Sequence, residues 1–406
     1  MTQTESKKQT VSVAITTYIL NMGGISTFII ELGKFLKSKG FEVTIICTDR
    51  KGIWYHRIHQ EGIHGKYFNS WIYERIPFGR ILLARRIGLY MRRQSFDYII
   101  NNHSFYIHAA AGYMFDRSRI IHVVNNMLEQ MVEHESDPIS DKIVGVSPYI
   151  EKLAGQYLPP DLVTSIMNGI PLPGKELQGY KLCSDRPKDV LYVGRIDNRQ
   201  KAVFLIPAIM ESLIDQGIKV KITIVGEGPD LEKLKQITAD RSLLEYISFT
   251  GRVDPVRVND YYREHKILLL PSNFEGYPHT LLEAMAFGCV PVSSLLPQCT
   301  DICIEQGSSG YLVEPGKTDE FAQRIADLLA SNELLNILSK NAKQRASDNF
   351  STNIAHEKYL ELLQSFEGRE IKRTGFPLIN RKYMSWKELV PFRLVLFVKR
   401  NILKAS

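Results

Sequence analysis

VSVAITTYILNMGGISTFIIELGKFLKSKGFEVTIIC, residues 11–47, is the stretch on which the fold turns. Residues 11–17 read as a strand and Asn21-Met22-Gly23-Gly24 as a glycine turn. Ser26 opens a helix that runs to about residue 39 and stops at Gly40, and 41–47 is the next strand. Strand, glycine turn, helix, strand is how a Rossmann-like parallel sheet begins. The pattern continues with a helix over 81–93 and strands over 97–101, 120–125 and 142–146. A first domain is therefore expected over 11–170, behind a disordered tail of residues 1–10.

Residues 171–188 (PLPGKELQGYKLCSDRPK) are polar and broken by Pro and Gly, the composition of a linker. Strands then recur at 189–193, 219–225, 247–250, 267–270 and 290–293. Helices fall at 204–214, 230–239, 256–264, 280–287 and 318–330. A second Rossmann-like domain over 189–350 fits this better than one large sheet. A helical pattern over 342–363 is expected to return, with 351–370 bracing the first domain.

The bulk properties agree with two folded domains. The chain has 406 residues, 44% hydrophobic and 23% charged. Its five cysteines are an odd number without a C-x-x-C pair, which suits a reducing, cytoplasmic compartment. The segment before residue 11 is polar, so no signal peptide is expected, and no apolar run approaches the ~20 residues that span a bilayer. Net charge is +7, but residues 371–406 alone carry nine Lys/Arg against one acid. The charge therefore belongs to a tail and to a surface role.

The chemistry concentrates in Pro271–Gly288 (PSNFEGYPHTLLEAMAFG). Glu275 sits in a Gly/Pro turn after an apolar strand, and Glu283 lies eight positions on, among Leu, Ala, Met and Phe. A carboxylate in such company usually has a hydrogen-bonding task. Gly276 and Pro278 shape a turn whose amides lead into the helix at Thr280, where the helix dipole favours negative charge and hydroxyl oxygens. Arg195 follows a strand end and Lys201 comes six residues later, a pairing suited to a diphosphate. A solvated loop with Asp197 and Arg199 is the other account of that segment. The Gly226-Glu227-Gly228 turn is weak evidence alone, and neither it nor Gly23-Gly24 has the spacing of a dinucleotide fingerprint. Taken together these residues describe a nucleotide-diphosphate-sugar site. A capping carboxylate on a structural helix is the bland alternative.

The run Glu275–Val292 (EGYPHTLLEAMAFGCVPV) resembles the E-x7-E signature of retaining glycosyltransferases of family 4, which have the GT-B fold. Further matches fall in the family's order: Gly23-Gly24, the 97–103 segment ending at His103, Val146-Ser147, Asn168-Gly169-Ile170, Val193-Gly194-Arg195, Lys201, Gly226-Glu227-Gly228-Pro229, Gly251 and Gly310 to Val313. The resemblance covers roughly 11–365 and implies two Rossmann-like domains facing across a cleft. It also implies that Arg195 and Lys201 neutralise the donor diphosphate and that Glu283 holds the ribose hydroxyls. Glu275, with the turn of Gly276, Tyr277, Pro278, His279, Thr280 and Leu281, would hold the donor sugar. Arg252 and Val253 would lie near the base, with Gly226 and Gly23-Gly24 close to the diphosphate. No metal and no other cofactor is implied, and no D-x-D disputes this; Arg and Lys would supply the electrostatics.

Two departures stand out. Lys201 is followed by Ala202 where many members have glycine. Asn125 or Asn126 falls where a histidine is common, and asparagine cannot take up a proton. His103 stays a candidate for the acceptor side, as does a plain strand-end histidine.

The arginines among apolar residues over 80–93, and the tail 371–406, both resemble interfacial helices with cationic margins. Core packing with a solvated basic side equally suits 80–93. The tail is the expected contact with a membrane surface or partner protein. Nucleic acid is a poor fit, since no zinc set, helix-turn-helix or aromatic platform accompanies the charge. The expected protein is a transferase that moves a hexose or N-acetylhexosamine from a nucleotide-sugar donor, a UDP-sugar first. Its acceptor would be a glycan or lipid-linked glycan, with the enzyme peripheral on the cytoplasmic face of the inner membrane. A nucleotide-sugar epimerase and a catalytically silent partner subunit are the rivals.

Overall fold

The structure, a computed structural model, describes residues 10–21, 23–76, 78–102, 104–114, 118–125, 140–174 and 182–365. His103, Asn126 and the tail 371–406 lie outside the described residues. The described residues divide into two compact units, one within 10–146, 150–166 and 356–365, the other within 147–149 and 167–355.

The first unit is built on a seven-stranded parallel sheet. Its strands are β1 (Ser12–Thr17), β2 (Glu42–Cys47), β3 (His64–Tyr67), β4 (Tyr98–Asn102), β5 (Arg119–Val124), β6 (Lys142–Gly145) and β7 (Val163–Ser165). They lie in the order β3-β2-β1-β4-β5-β6-β7. Among the helices that flank them are α1 (Gly24–Ser38), α2 (Ser70–Tyr73) and α3 (Gly79–Gln94). α3 buries Leu83, Ala84, Ile87 and Met91, spaced at a helical period, in a core with Ala14, Ile46, Ile99 and Ile120.

The second unit repeats the design with six parallel strands: β8 (Lys188–Val193), β9 (Ile222–Val225), β10 (Ile247–Gly251), β11 (His265–Leu270), β12 (Val290–Ser294) and β13 (Tyr311–Val313). Their order is β10-β9-β8-β11-β12-β13. Val190, Tyr192, Ile267 and Leu269 enter one core, while Leu191, Val193, Leu268 and Leu270 enter the other. That alternation is the two-residue period of a strand, here buried on both faces. The helices used below are α4 (Asn198–Lys201), α5 (Pro255–Glu264), α6 (His279–Ala286) and α7 (Asn332–Phe350).

A last helix, α8 (Thr352–Ser365), begins in the second unit and continues in the first. Within the first unit its Tyr359 ring packs on Phe28, the Leu363 carbonyl accepts from the Tyr98 hydroxyl at 2.6 Å, and Glu357 pairs with Lys39 at 3.0 Å. α7 and α8 are separate helices, not one, because Ile170 bridges to Ser351 between them. The Ile170 N–H donates to the Phe350 carbonyl at 2.8 Å, and the Thr352 N–H donates to the Ile170 carbonyl at 2.9 Å. Among the described residues, no helix is long and apolar enough to cross a membrane.

Candidate functional site

In each sheet the strand order reverses between the first strand and the fourth, at β1/β4 and at β8/β11. Ligands of open α/β sheets lie beyond the carboxyl ends of such a pair. In the second unit, β8 runs out into Gly194-Arg195 and α4, and β11 runs out into Pro271 to Glu275.

Asp197 starts α4 by accepting from the Arg199 N–H at 3.1 Å. Asn198 N–H donates to Asp230 at 2.7 Å, and the Asn198 carbonyl oxygen of the side chain accepts from Phe204 N–H at 2.9 Å. The chain then leaves α4 through Ala202 at φ 48°, a left-handed conformation that costs an L-residue roughly 1 kcal/mol. The missing glycine is thus felt as backbone strain, while the turn itself is retained.

The β11 loop is stitched to α4 by its backbone and by one side chain. Asn273 N–H donates to the Gln200 carbonyl at 2.8 Å, and its Nδ2 donates to the Arg199 carbonyl at 3.0 Å. These bonds bring Lys201 Nζ to 2.6 Å from Glu275 Oε1, and Ser272 Oγ donates to the same oxygen at 2.6 Å. The two side chains are 13% and 4% exposed, so this is a largely dehydrated ion pair. His279 completes the cluster. Burial, helped by the Lys201 charge, lowers its imidazole to about 4, so it is neutral at ordinary pH.

Glu283 stands apart from that cluster. It accepts from the Tyr262 hydroxyl on α5 at 2.9 Å. Burial raises its carboxyl to about 7, against the lowering effect of the Tyr262 hydrogen bond. The carboxylate is therefore poised to exist in both forms near neutrality.

The other expected residues of the second unit have surroundings of their own. Arg195 is 66% exposed, with Nε 3.8 Å from Asp197. Tyr277 packs edge-on to His279, and its hydroxyl accepts from Gly169 N–H at 3.1 Å. Pro278 caps α6 and has no N–H to offer, and the His279 N–H is already bonded to the Tyr277 carbonyl. Leu281 is fully buried, with its N–H on the Pro278 carbonyl. The Thr280 N–H has no backbone partner among the described residues, as expected for a first helical turn. Arg252 is exposed and Val253 packs on the core beside Tyr261 and Tyr277. A Cβ at Gly226 would meet the Gly194 carbonyl oxygen at 1.9 Å. Glycine there is demanded by the neighbouring loop, whatever the ligand.

In the first unit, Gly23 has φ 150° and open space where a Cβ would stand, at the start of α1, whose first residue is Gly24. Asn125 Nδ2 donates to Asn102 Oδ1 at 2.9 Å and ties the ends of β5 and β4 together. Beneath lies a polar cluster that the sequence pattern did not announce. Asn101 Oδ1 accepts from Thr16 Oγ1 at 2.7 Å and from Ser104 N–H at 3.2 Å. Asn101 Nδ2 donates to the Ser104 carbonyl at 3.2 Å and lies 2.9 Å from His122 Nδ1, and that same nitrogen lies 2.8 Å from His108 Nε2. His122 is accordingly a buried structural residue.

Tyr262 and Ser272, which hold the two glutamates, also escaped notice in the sequence. Their hydroxyls are recognised as partners only once the fold aligns them. Among the described residues, no group of three or more His, Cys, Asp or Glu could hold a metal ion.

Comparison with known proteins agrees with this architecture. Residues 22–172 match the family described as Glycosyltransferase Family 4, and residues 178–345 match Glycosyl transferases group 1. An uncharacterized glycosyltransferase of Methanocaldococcus jannaschii is 22% identical over 385 residues, 86% of this chain and 96% of that protein. A Campylobacter jejuni α-1,4-N-acetyl-D-galactosaminyltransferase, named for a diNAcBac-PP-undecaprenol-linked GalNAc acceptor, is 29% identical over 176 residues. That match covers 43% of this chain and 47% of that protein. Anabaena HepE, solved in complex with UDP and glucose, superposes with a TM-score of 0.72 at 15% identity, over 88% of this chain and 100% of that one. With both halves matched in order and a Rossmann-type sheet in each, the chain belongs to the glycosyltransferases of group 1 and family 4 and has their GT-B fold.

Proposed function

We propose that this glycosyltransferase moves a hexose or N-acetylhexosamine, with retention, from a UDP-sugar to a saccharide or lipid-linked saccharide in glycoconjugate assembly. The observation that carries the reading is the meeting of Lys201 and Glu275 at the β8/β11 switch point, with Glu283 on the adjoining helix. Lys201 is a buried cation whose present partner is a single carboxylate, and a diphosphate offers it a stronger one. Arg195, exposed on the β8 loop, can swing to the same group. Glu283 has the acceptor oxygens that ribose hydroxyls need, and Glu275 those that sugar hydroxyls need.

In the proposed reaction the bond from the sugar anomeric carbon to the diphosphate oxygen breaks, and its electron pair leaves with the diphosphate. The acceptor oxygen bonds the same face of that carbon. Its proton passes to the departing phosphate oxygen, so no protein base is required. Lys201 and Arg195 stabilise the charge that grows on the leaving group. The UDP bound in Anabaena HepE and the undecaprenol-linked acceptor in the name of the Campylobacter enzyme support the donor and acceptor classes. With such an acceptor, the enzyme would work at the cytoplasmic face of a membrane.

The test is calorimetric titration with UDP-, GDP- and ADP-sugars, alongside release of free nucleotide in the presence of glycan and lipid-glycan acceptors. UDP-sugar binding that Lys201→Met abolishes is the expected result. Absence of binding by every donor would overturn the proposal.

A further inference from the structure

In the first unit, α2, the turn after it and the start of α3 expose a run of large apolar side chains. Trp71 is 50% exposed, Ile72 54%, Ile76 40%, Phe78 56% and Leu82 43%. The buried side of α3 already supplies the core, so these residues are surplus to it. Soluble surfaces scatter such residues singly, and a cluster this dense marks an interaction surface.

The turn is built to present them. Phe78 adopts φ 57°, a strained conformation for an L-aromatic residue, although more than half of it stays exposed. Gly79 makes the turn possible, because a Cβ there would meet the Tyr73 carbonyl oxygen at 1.7 Å. Leu82 N–H donates to the Phe78 carbonyl at 3.0 Å, which joins the strained residue firmly to α3.

Charge names the occupant. Residues 68–94 contain six arginines and one acid, Glu74. The Arg75 guanidinium lies over the Trp71 ring, 3.0 Å from its centroid, and Arg86 donates to the Tyr73 hydroxyl at 2.8 Å. Among the described residues, Arg75, Arg85, Arg86 and Arg93 form no ion pair with a carboxylate. Exposed aromatic and aliphatic side chains edged by arginines match a bilayer interface, with apolar groups at the acyl boundary and guanidinium groups on phosphates. A second copy would oppose one basic face to another. The 371–406 tail, with nine Lys/Arg to one acid, is equally mismatched in charge.

We propose that the α2–α3 face docks on a membrane surface rich in anionic phospholipid, with Trp71, Ile72 and Phe78 entering the acyl boundary. The proposal does not rest on the donor reading and stands or falls without any turnover measurement.

The full chain is mixed with vesicles of phosphatidylcholine alone and of equimolar phosphatidylcholine and phosphatidylglycerol, and partition is read by flotation. Strong partition into the anionic vesicles only is expected. Arg85→Gln with Arg93→Gln should lower it about 25-fold, near fivefold for each charge removed. Ile72→Ser with Phe78→Ser should lower it at least tenfold, since both side chains are already exposed and their loss spares the core. Because the tail could carry binding by itself, a second readout isolates this face. Trp54→Phe with Trp386→Phe leaves Trp71 as the sole tryptophan, and brominated phosphatidylglycerol should quench its emission. No quenching of Trp71, or unchanged partition of both double variants, overturns the proposal, including the case in which only the tail or a protein partner binds.

Discussion

Lys201 and Glu275 stabilise each other in a place where neither would be tolerated alone. Their side chains are 13% and 4% exposed, and Ser272 donates to the same carboxylate oxygen. Lys201→Met should cost about 3 to 5 kcal/mol, because it leaves a buried carboxylate without a counter-charge. Adding Glu275→Gln should recover part of that loss, and urea denaturation of both single variants and the double variant measures the coupling. Strictly additive losses would refute it. Glu283 makes a different prediction. Burial lifts its carboxyl from 4.5 to about 7. An acid with a raised folded value retains its full stability below 4.5 and loses it as the pH climbs towards 7, here by up to about 3 kcal/mol. If ribose hydroxyls donate to the carboxylate, UDP affinity should tighten as pH rises through about 7. In Glu283→Gln the pH profile should be flat. Tyr262→Phe removes the donor that favours the charged form, so its profile should shift to higher pH. A wild-type affinity independent of pH would rule out this role.

At the scale of elements, the site depends on how neighbouring loops and helix ends fit together. The β9 loop crosses the β8 loop so closely that a Cβ at Gly226 would lie 1.9 Å from the Gly194 carbonyl oxygen, and one at Gly228 2.2 Å from the Ile196 carbonyl oxygen. Ile196 N–H donates to the Glu227 carbonyl at 2.9 Å, so the loop that bears Arg195 is held from this side. Gly226→Ala should separate the two loops, destabilise the fold by about 2 kcal/mol and weaken UDP binding at least tenfold. Normal binding in that variant would show that the loop position is unimportant. The carboxyl ends of α5 and α6 are joined by Arg186, which is only 6% exposed although it falls in the 171–188 stretch that reads as linker. It donates to the carbonyls of Tyr262 at 3.2 Å, His265 at 2.7 Å and Phe287 at 2.7 Å. A guanidinium there meets the negative ends of two helices that carry Tyr262 and Glu283. Arg186→Met strips these carbonyls of a donor and should cost about 3 kcal/mol in urea unfolding.

For the molecule as a whole, the two parallel sheets were legible because apolar strands, glycine turns and helices recur with regular spacing. β3 and β7 were not, since they are short, partly polar edge strands at the two ends of the sheet order. The helical pattern over 342–363 did not show the break at Ser351, although the bracing segment was expected to begin at 351; the break depends on Ile170 arriving from far along the chain. Residue type and spacing singled out the glutamates, Arg195 and Lys201 as candidates, whereas Tyr262, Ser272 and Arg186 act through contacts that exist only after folding. Burial of ionisable groups has a consequence on this same scale. His265, His279 and His356 are each lowered to about 4, with burial the first cause in every case. A histidine with a depressed folded value loses stability as pH falls from its unfolded 6.5 towards 4, because the unfolded chain binds the proton first. Glu283 acts in the opposite sense over 4.5 to about 7, since there the native state binds the extra proton. Three protons against one leave up to two in favour of unfolding, so between about 5 and 6.5 stability should rise with pH by up to roughly 3 kcal/mol per unit. On the alkaline side, burial holds the Cys47 and Cys289 thiols up at about 12, so stability is lost as pH rises above their unfolded 9.0. Urea midpoints measured across pH should therefore form a plateau between about 7 and 9, with a steep acid flank. His356, packed against Phe28 and Phe35, can be tested singly: His356→Phe should reduce the acid slope by one proton. An acid flank of unaltered slope in that variant would exclude His356 as one of the groups responsible.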